Sequence, residues 1–181
     1  LMEQPVGSSL VDMYAKCGFL VEACNVFDQL PTRDDVSFNA LMWGYAERGQ
    51  SIEALKCMEQ MSVEGIVPDG VTFSSILKAC GTVGDIHQGQ EIHSEVVKRA
   101  LERDIFVGGN LVDLYVKCGL HKEACATSSK LLVRDIVAWN TLISGYLEHG
   151  DGEYALKCLI QMHQEGVSPN EITYVCCLKA C

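Results

Sequence analysis

Cysteine and histidine are the side chains most able to do chemistry in this chain. Ten cysteines and five histidines stand among 181 residues. Thiolates and imidazoles are the usual zinc ligands, and paired thiols can form disulfides. The spacing supports neither use. No C-x-x-C occurs, and Cys17/Cys24 and Cys118/Cys125 are each seven residues apart. Seven residues is two helical turns, which places both thiols of a pair on one helix face as small packing groups. His93-Ser94-Glu95 and His121-Lys122-Glu123 fit the H-x-E of zinc deaminases, in which the glutamate moves protons beside a metal-bound water. That reaction also needs P-C-x-x-C, and neither tripeptide is followed by one. A glycine-rich phosphate loop and a nucleophile elbow are both missing from the sequence. His87 and His93 read as surface or packing residues. The segment therefore reads as non-enzymatic, with no metal and no cofactor expected.

A second set of polar residues is regular. Asp34, Asp69, Asp104, Asp135 and Asn170 punctuate the chain at intervals of 35, 35, 31 and 35. Each precedes a segment with helical apolar spacing, and Asx side chains are good helix N-caps. Asn39 and Asn140 recur at one place inside those segments, although asparagine is a poor helix-interior residue.

The elements that must hold these residues repeat as well. Cys17, Cys24, Cys57 and Cys80 return as Cys118, Cys125, Cys158 and Cys181, each shifted by 101 residues. Tyr14-Ala15-Lys16-Cys17-Gly18 returns as Tyr115-Val116-Lys117-Cys118-Gly119, and Gly44 to Gly49 returns as Gly145 to Gly150 with His149 in place of Arg48. Leu77-Lys78-Ala79-Cys80 returns as Leu178-Lys179-Ala180-Cys181. Such matches at one offset signal a repeat array. Within each unit, Phe38, Leu41, Met42 and Tyr45 form one helical stripe, echoed by Trp139, Leu142, Ile143 and Tyr146. Gly49 stops that helix. Ser51 is expected to cap the next, whose stripe is Ala54, Leu55, Met58 and Met61, echoed by Ala155, Leu156, Leu159 and Met162. Gly65 and Pro68 end it. A helical hairpin this small cannot bury its own apolar face, so neighbours must stack. The expected fold is all-α, a right-handed α-solenoid of stacked helix-turn-helix repeats.

Composition bounds the rest. Apolar residues are 48% and charged ones 21%, which excludes wholesale disorder. No apolar run is long enough to span a membrane, and the first residues lack the basic flank and apolar core of a signal peptide. The formal charge of −10 argues against gripping nucleic acid by bulk attraction.

The units resemble pentatricopeptide repeats, and their alternating lengths resemble the land-plant PLS subfamily. Segments 4–34 and 105–135 are similar to the 31-residue S type, through Leu10-Val11-Asp12-Met13-Tyr14-Ala15-Lys16-Cys17-Gly18 and its echo at Leu111 to Gly119. Segments 35–69 and 136–170 resemble the 35-residue P type, with Trp/Phe-Asn near the start and Gly-x-x-Pro-Asp/Asn at the end. Segment 70–104 resembles the L type, with Val71 to Cys80 followed by Gly89-Gln90-Glu91-Ile92-His93, and 171–181 resembles the opening helix of a further L repeat. The Trp-x-x-Leu-Gly signature of tetratricopeptide repeats is missing. The chain reads as part of a longer array.

The resemblance implies single-stranded RNA as partner, one base per repeat. The fifth residue of each repeat would bond a base edge, and the last residue would support it. Ser8 with Asp34 resembles a guanine reader, Asn39 with Asp69 a uracil reader, and Asn140 with Asn170 a pyrimidine reader, cytosine before uracil. Ser74 with Asp104 lies in an L-type repeat and is assigned no base. Gly109 stands where the unit closed by Asp135 should carry its reader, so that unit is expected to be weak or silent. Val36, Val71, Phe106 and Val137 would wedge between bases, a contact worth about 1–3 kcal/mol. Pro5 takes the wedge place in the first unit, where it is a poor substitute. Lys16, Arg48, Lys78, Lys117 and Lys179 would form a basic strip along the groove. The expected site is 5′-G-U-x-x-C/U-3′.

The residues alone leave local helix capping open as the sole role of the Asx set. The rival function is a protein-binding scaffold without direct RNA readout, which the net acidity favours. The resemblance further implies a recognition part of a C-to-U RNA-editing factor in a chloroplast or mitochondrion, with editing accessory proteins as further partners. Neither DNA nor membrane is expected.

Overall fold

The computed structural model describes residues 4–131, 134–148 and 150–178. His149, Lys179, Ala180 and Cys181 of the echoed motifs lie outside the described residues. Eleven α-helices are present among those described: α1 Gln4–Lys16, α2 Leu20–Asp28, α3 Asp35–Glu47, α4 Ser51–Val63, α5 Gly70–Val83, α6 Ile86–Lys98, α7 Ile105–Lys117, α8 His121–Lys130, α9 Ile136–Glu148, α10 Gly152–Gln164 and α11 Glu171–Leu178.

They form two compact units, residues 1–83 and 84–181. In the first, α1, α3 and α5 lie side by side in one layer, while α2 and α4 each pack on the preceding helix and on the one that follows. In the second, α7, α9 and α11 form the corresponding layer, with α8 and α10 behind them and α6 against α7. Each unit thus buries the apolar stripe of one hairpin against the next, as short amphipathic hairpins require.

The first helices end alike. After Tyr45 the chain closes a Schellman motif: Gly49 N–H donates to Ala46 O at 3.0 Å and Gln50 N–H to Tyr45 O at 2.9 Å. Gly49 takes φ 65°, which a side chain would strain. The same bonds recur after Tyr115, from Gly119 to Val116 O at 3.0 Å and from Leu120 to Tyr115 O at 2.8 Å. These bonds set the turn without a side-chain cap on the second helix. Gln50 is the N-cap of α4 and gives it no side-chain bond, and Ser51 is the first helical residue and is buried. The cap expected at Ser51 is therefore absent, because the Schellman turn leaves no room for a further linker residue.

The first-helix stripe is where the spacing put it. Phe38, Leu41 and Met42, and Trp139, Leu142, Ile143 and Tyr146, are buried. The second-helix stripe is narrower than expected. Ala155, Cys158 and Met162 are buried, whereas Leu156 is 57% exposed. The α10 helix meets the layer along an i, i+3, i+7 seam, which turns Leu156 outward, whereas Leu55 in α4 stays half-buried.

Cys80 and Cys158 are buried, Cys17 is exposed and the other described cysteines lie between. Two of the half-buried ones also bond tyrosines: Cys24 Sγ lies 3.2 Å from Tyr45 Oη, and Cys125 Sγ 2.7 Å from Tyr146 Oη. Among the described residues no three potential metal ligands cluster, and no helix is long and apolar enough to cross a membrane. Both H-x-E histidines pack on tyrosines of a first helix: His93 Nδ1 lies 2.6 Å from Tyr115 Oη, and the His121 ring sits 4.7 Å from that of Tyr146.

Close approach of first helices depends on glycine. A Cβ at Gly145 would overlap the Val116 side chain, and one at Gly44 would stand 2.8 Å from Leu20 Cδ1. At Gly109 an added Cβ meets nothing within 4 Å. Gly145→Ala is therefore expected to destabilise by about 1–3 kcal/mol through overpacking. Gly109→Ala should stabilise by roughly 0.5–1 kcal/mol, the helix-propensity difference. Urea denaturation of the two variants checks both signs.

Candidate nucleic-acid interface

The five punctuating Asx residues sit at the N-termini of α3, α5, α7, α9 and α11. All five cap. Ser37 N–H donates to Asp34 Oδ1 at 2.8 Å, Thr72 N–H to Asp69 Oδ1 at 2.9 Å, Val107 N–H to Asp104 Oδ1 at 3.0 Å, Ala138 N–H to Asp135 Oδ1 at 2.9 Å, and Thr173 N–H to Asn170 Oδ1 at 3.0 Å. The N-cap reading of these residues is correct, and a helix N-terminus favours a carboxylate or amide oxygen there.

Three of them also reach back to a residue on the previous first helix. Ser8 Oγ donates to Asp34 at 2.9 Å, Asn39 Nδ2 to Asp69 Oδ1 at 3.4 Å, and Asn140 Nδ2 to Asn170 Oδ1 at 3.3 Å. The residues of each pair are 26, 30 and 30 positions apart. The structure thus brings together three of the pairs that the sequence grouped. Ser74 Oγ is buried and makes no hydrogen bond among the described residues. Asp104 caps through bonds to Phe106 N–H and Val107 N–H.

The third partner in these pairs escaped the sequence reading. Thr72 Oγ1 donates to Asn39 Oδ1 at 2.8 Å and accepts from Asp69 N–H at 3.2 Å. Thr173 Oγ1 does the same for Asn140 Oδ1 at 2.6 Å and Asn170 N–H at 3.1 Å. Ser37 stands in that place beside Asp34 and completes a capping box. The threonine holds the amide oxygen and the Asx residue holds the amide nitrogen. The orientation of the asparagine is therefore fixed, leaving one N–H and one oxygen lone pair unused. A hydroxyl residue three places after Asp34, Asp69 and Asn170, at Ser37, Thr72 and Thr173, was the available signal.

These bonds keep the carboxylates ionised. Burial pushes the Asp34 carboxyl up, but donation from Ser37 N–H and the Ser8 and Ser37 hydroxyls outweighs it, and the pKa falls below the ordinary 3.8. Asp69 is lowered in the same way, burial being outweighed by Thr72 and Asn39.

The wedge candidates are apolar side chains left in solvent. Val36 is 52%, Val71 57%, Phe106 75% and Val137 65% exposed. All four lie within two residues of a capping Asx. The basic candidates have partners within the chain. Lys16 pairs with Asp12 at 2.7 Å, Lys117 with Asp113 at 2.7 Å, and Lys78 with Glu47, while the Arg48 guanidinium donates to Gly18 O. Lys179 lies outside the described residues. Exposed pairs of this kind are weak, about 0–1 kcal/mol, so a phosphate can exchange for the carboxylate.

Each unit is thus a stack of α-hairpins whose first helices carry paired polar side chains and exposed apolar ones at one end, the arrangement of a helical-repeat binding module. The chain belongs to the pentatricopeptide repeat (PPR) family. The PPR repeat family profile matches residues 33–82 and 134–181, and a single PPR repeat profile matches 8–34. A chloroplastic pentatricopeptide repeat-containing protein of Arabidopsis thaliana is 39% identical over 176 residues, covering 97% of this chain and 28% of the relative. A mitochondrial one from the same plant is also 39% identical over 97% of this chain, and 17% of the relative is covered. The chain therefore spans under a third of the length of these relatives. Among solved structures, the pentatricopeptide repeat protein PPR10 from maize superposes with a TM-score of 0.83 at 22% identity, over 99% of this chain and 27% of that one. The PPR domain of the Arabidopsis thaliana protein-only RNase P 1, solved in complex with tRNA, superposes with a TM-score of 0.73 at 14% identity over 95% of both chains. These likenesses place the fold among the all-α, right-handed α-solenoids.

The lowered carboxyls carry a sign. Their contribution is fully present above the unfolded value of 3.8 and drains as pH falls through the lower folded values. Urea midpoints should be level from neutral pH down to about pH 5 and drop below about pH 4. Asp34→Ala and Asp69→Ala should each cost about 0.5–2 kcal/mol at neutral pH and flatten that acid limb.

Proposed function

We propose that the chain binds single-stranded RNA and reads it one base per repeat. The observation that carries this reading is the triple recurrence of a polar reader clasped by the Asx residue 26 or 30 positions on, at Ser8–Asp34, Asn39–Asp69 and Asn140–Asn170. Capping alone accounts for the Asx residues. It does not account for an asparagine held by two partners with one donor and one acceptor to spare. Unstacked bases present Watson–Crick edges to such groups, and the exposed Val36, Val71, Phe106 and Val137 supply apolar surfaces for stacking. Its structural neighbour among the RNase P proteins was solved with tRNA, which supports an RNA ligand for the family's repeat region.

In this reading Ser8 with Asp34 selects guanine, Asn39 with Asp69 uracil, and Asn140 with Asn170 a pyrimidine. Ser74 with Asp104 lies in an L-type repeat and receives no base. The S, P and L lengths mark the PLS subfamily. The parent protein is then a C-to-U editing factor of a chloroplast or mitochondrion, assisted by accessory proteins. Relatives named chloroplastic and mitochondrial support that location. The ion-paired lysines and the charge of −10 favour a second reading, a scaffold for protein partners. They also imply that RNA affinity is modest and falls steeply with salt.

Binding of a short RNA carrying 5′-GUxxC-3′ at two salt concentrations separates the readings. Changing U to A should weaken binding by roughly 1–3 kcal/mol, as the loss of one matched base contact does. Asn39→Ser recreates the Ser8–Asp34 combination and should move the preference at that base from uracil to guanine. Equal affinity for all these RNAs, or none even at low salt, would favour the scaffold.

A further inference from the structure

The unit at 105–135 lacks a reading side chain, and the sequence alone makes it a weak or silent reader. Its geometry says otherwise. Where Ser8, Asn39 and Asn140 fill the corresponding place in their units, a Cβ on Gly109 would meet nothing within 4 Å. A cavity of about 510 Å³ opens there, with Phe106, Gly109, Asn110, Asp135, Val137 and Thr141 among its walls. A nucleobase fits such a space whole, without competing with a protein side chain.

The polar groups on the walls are mostly acceptors, one N–H of Asn110 being the exception. Asp135 spends Oδ1 on Ala138 N–H at 2.9 Å, and its other oxygen bonds nothing among the described residues. The Thr141 hydroxyl spends its hydrogen on Val137 O at 3.0 Å, and Asn110 Nδ2 spends one on Phe106 O at 2.8 Å. Asp113, also on the wall, is neutralised by Lys117 at 2.7 Å. Phe106 and Val137 are the exposed apolar surfaces on either side, 75% and 65% in solvent.

We propose that this unit reads guanine, and does so directly with Asp135. Guanine presents two adjacent donors, N1–H and the N2 amine, and a carboxylate is their natural complement. Uracil offers one ring N–H, and adenine and cytosine offer an exocyclic amine beside an acceptor that the carboxylate repels. In the three units with a clasped reader, at Ser8, Asn39 and Asn140, that side chain would stand between the Asx residue and the base. Here glycine removes that layer, and the buttress becomes the reader. The proposal rests on the RNA reading above and extends its site to 5′-G-U-x-G-C/U-3′.

The test uses the whole 181-residue chain and four short RNAs, 5′-GUANC-3′ with N each of the four bases. Guanine at N should bind at least about fivefold more tightly than the others, the lower end of one matched contact. Asp135→Asn should erase that preference while leaving the urea midpoint and the dependence on the second base unchanged, because asparagine and aspartate are comparable N-caps and Asn170 makes the same cap bond at 3.0 Å. Gly109→Asn combined with Ala138→Thr should rebuild the Asn39–Thr72–Asp69 arrangement and shift the preference from guanine to uracil. Equal affinity at N, with the second base still discriminated, overturns this proposal alone. A preference for another base, or a guanine preference that survives Asp135→Asn, overturns it as well. Loss of discrimination at every base refutes RNA reading itself, and the proposal with it.

Discussion

The structure depends on one side chain doing two jobs at each repeat junction. An Asx oxygen satisfies the open N–H groups at the start of one first helix. In three of five cases it also holds a polar side chain of the previous first helix. Capping fixes where the Asx side chain stands to within a hydrogen bond, and the reader inherits that precision. Selection for stability and selection for a binding edge then act on one position. The spacing of 31 or 35 residues follows, because the junction recurs once per hairpin.

The remaining features keep that junction in register. Schellman turns after Tyr45 and Tyr115 bring the chain back without a linker. Gly44 and Gly145 let neighbouring helices approach closely, and the buried Phe38 and Trp139 stripes lock the layer. Charge is arranged more economically than a basic groove would require. Lys16, Lys78 and Lys117 each carry an acidic partner, while Asp34 and Asp69 stay ionised beside Ser8 and Asn39. In the proposed RNA reading, base contacts carry more of the binding than phosphate contacts, which favours selectivity over raw affinity.

Much of this was legible from period alone. The echo at 101 residues and the Asx punctuation gave the helical hairpins and the caps, and the resemblance to pentatricopeptide repeats gave the partners of Ser8, Asn39 and Asn140. Four things were not. Ser51 looked like a cap because serine before an apolar stripe is the common signal, yet the Schellman turn of the preceding helix already defines that junction. Leu156 looked like core because the i, i+1 and i+4 apolar positions matched a broad stripe, whereas the helix packs along a narrow seam that ends at Met162. Thr72 and Thr173 passed unnoticed because a hydroxyl near a helix start is ordinary. Their second bond, to an asparagine 33 residues earlier, exists only in three dimensions. The cavity beside Gly109 was invisible for the same reason, since a glycine in sequence signals a missing contact and not the space it leaves.

The central claim is that the clasped asparagines touch bases. Side-chain amide resonances of Asn39 and Asn140, followed by 15N–1H spectroscopy during RNA titration, report this directly. The account predicts that the Asn39 amide shifts with an RNA carrying 5′-GUxxC-3′ and stays in place when U is replaced by A, while Asn140 responds to both. Shifts confined to the second helices α2, α4, α6, α8 and α10, or an Asn39 amide indifferent to RNA that is bound, would contradict it.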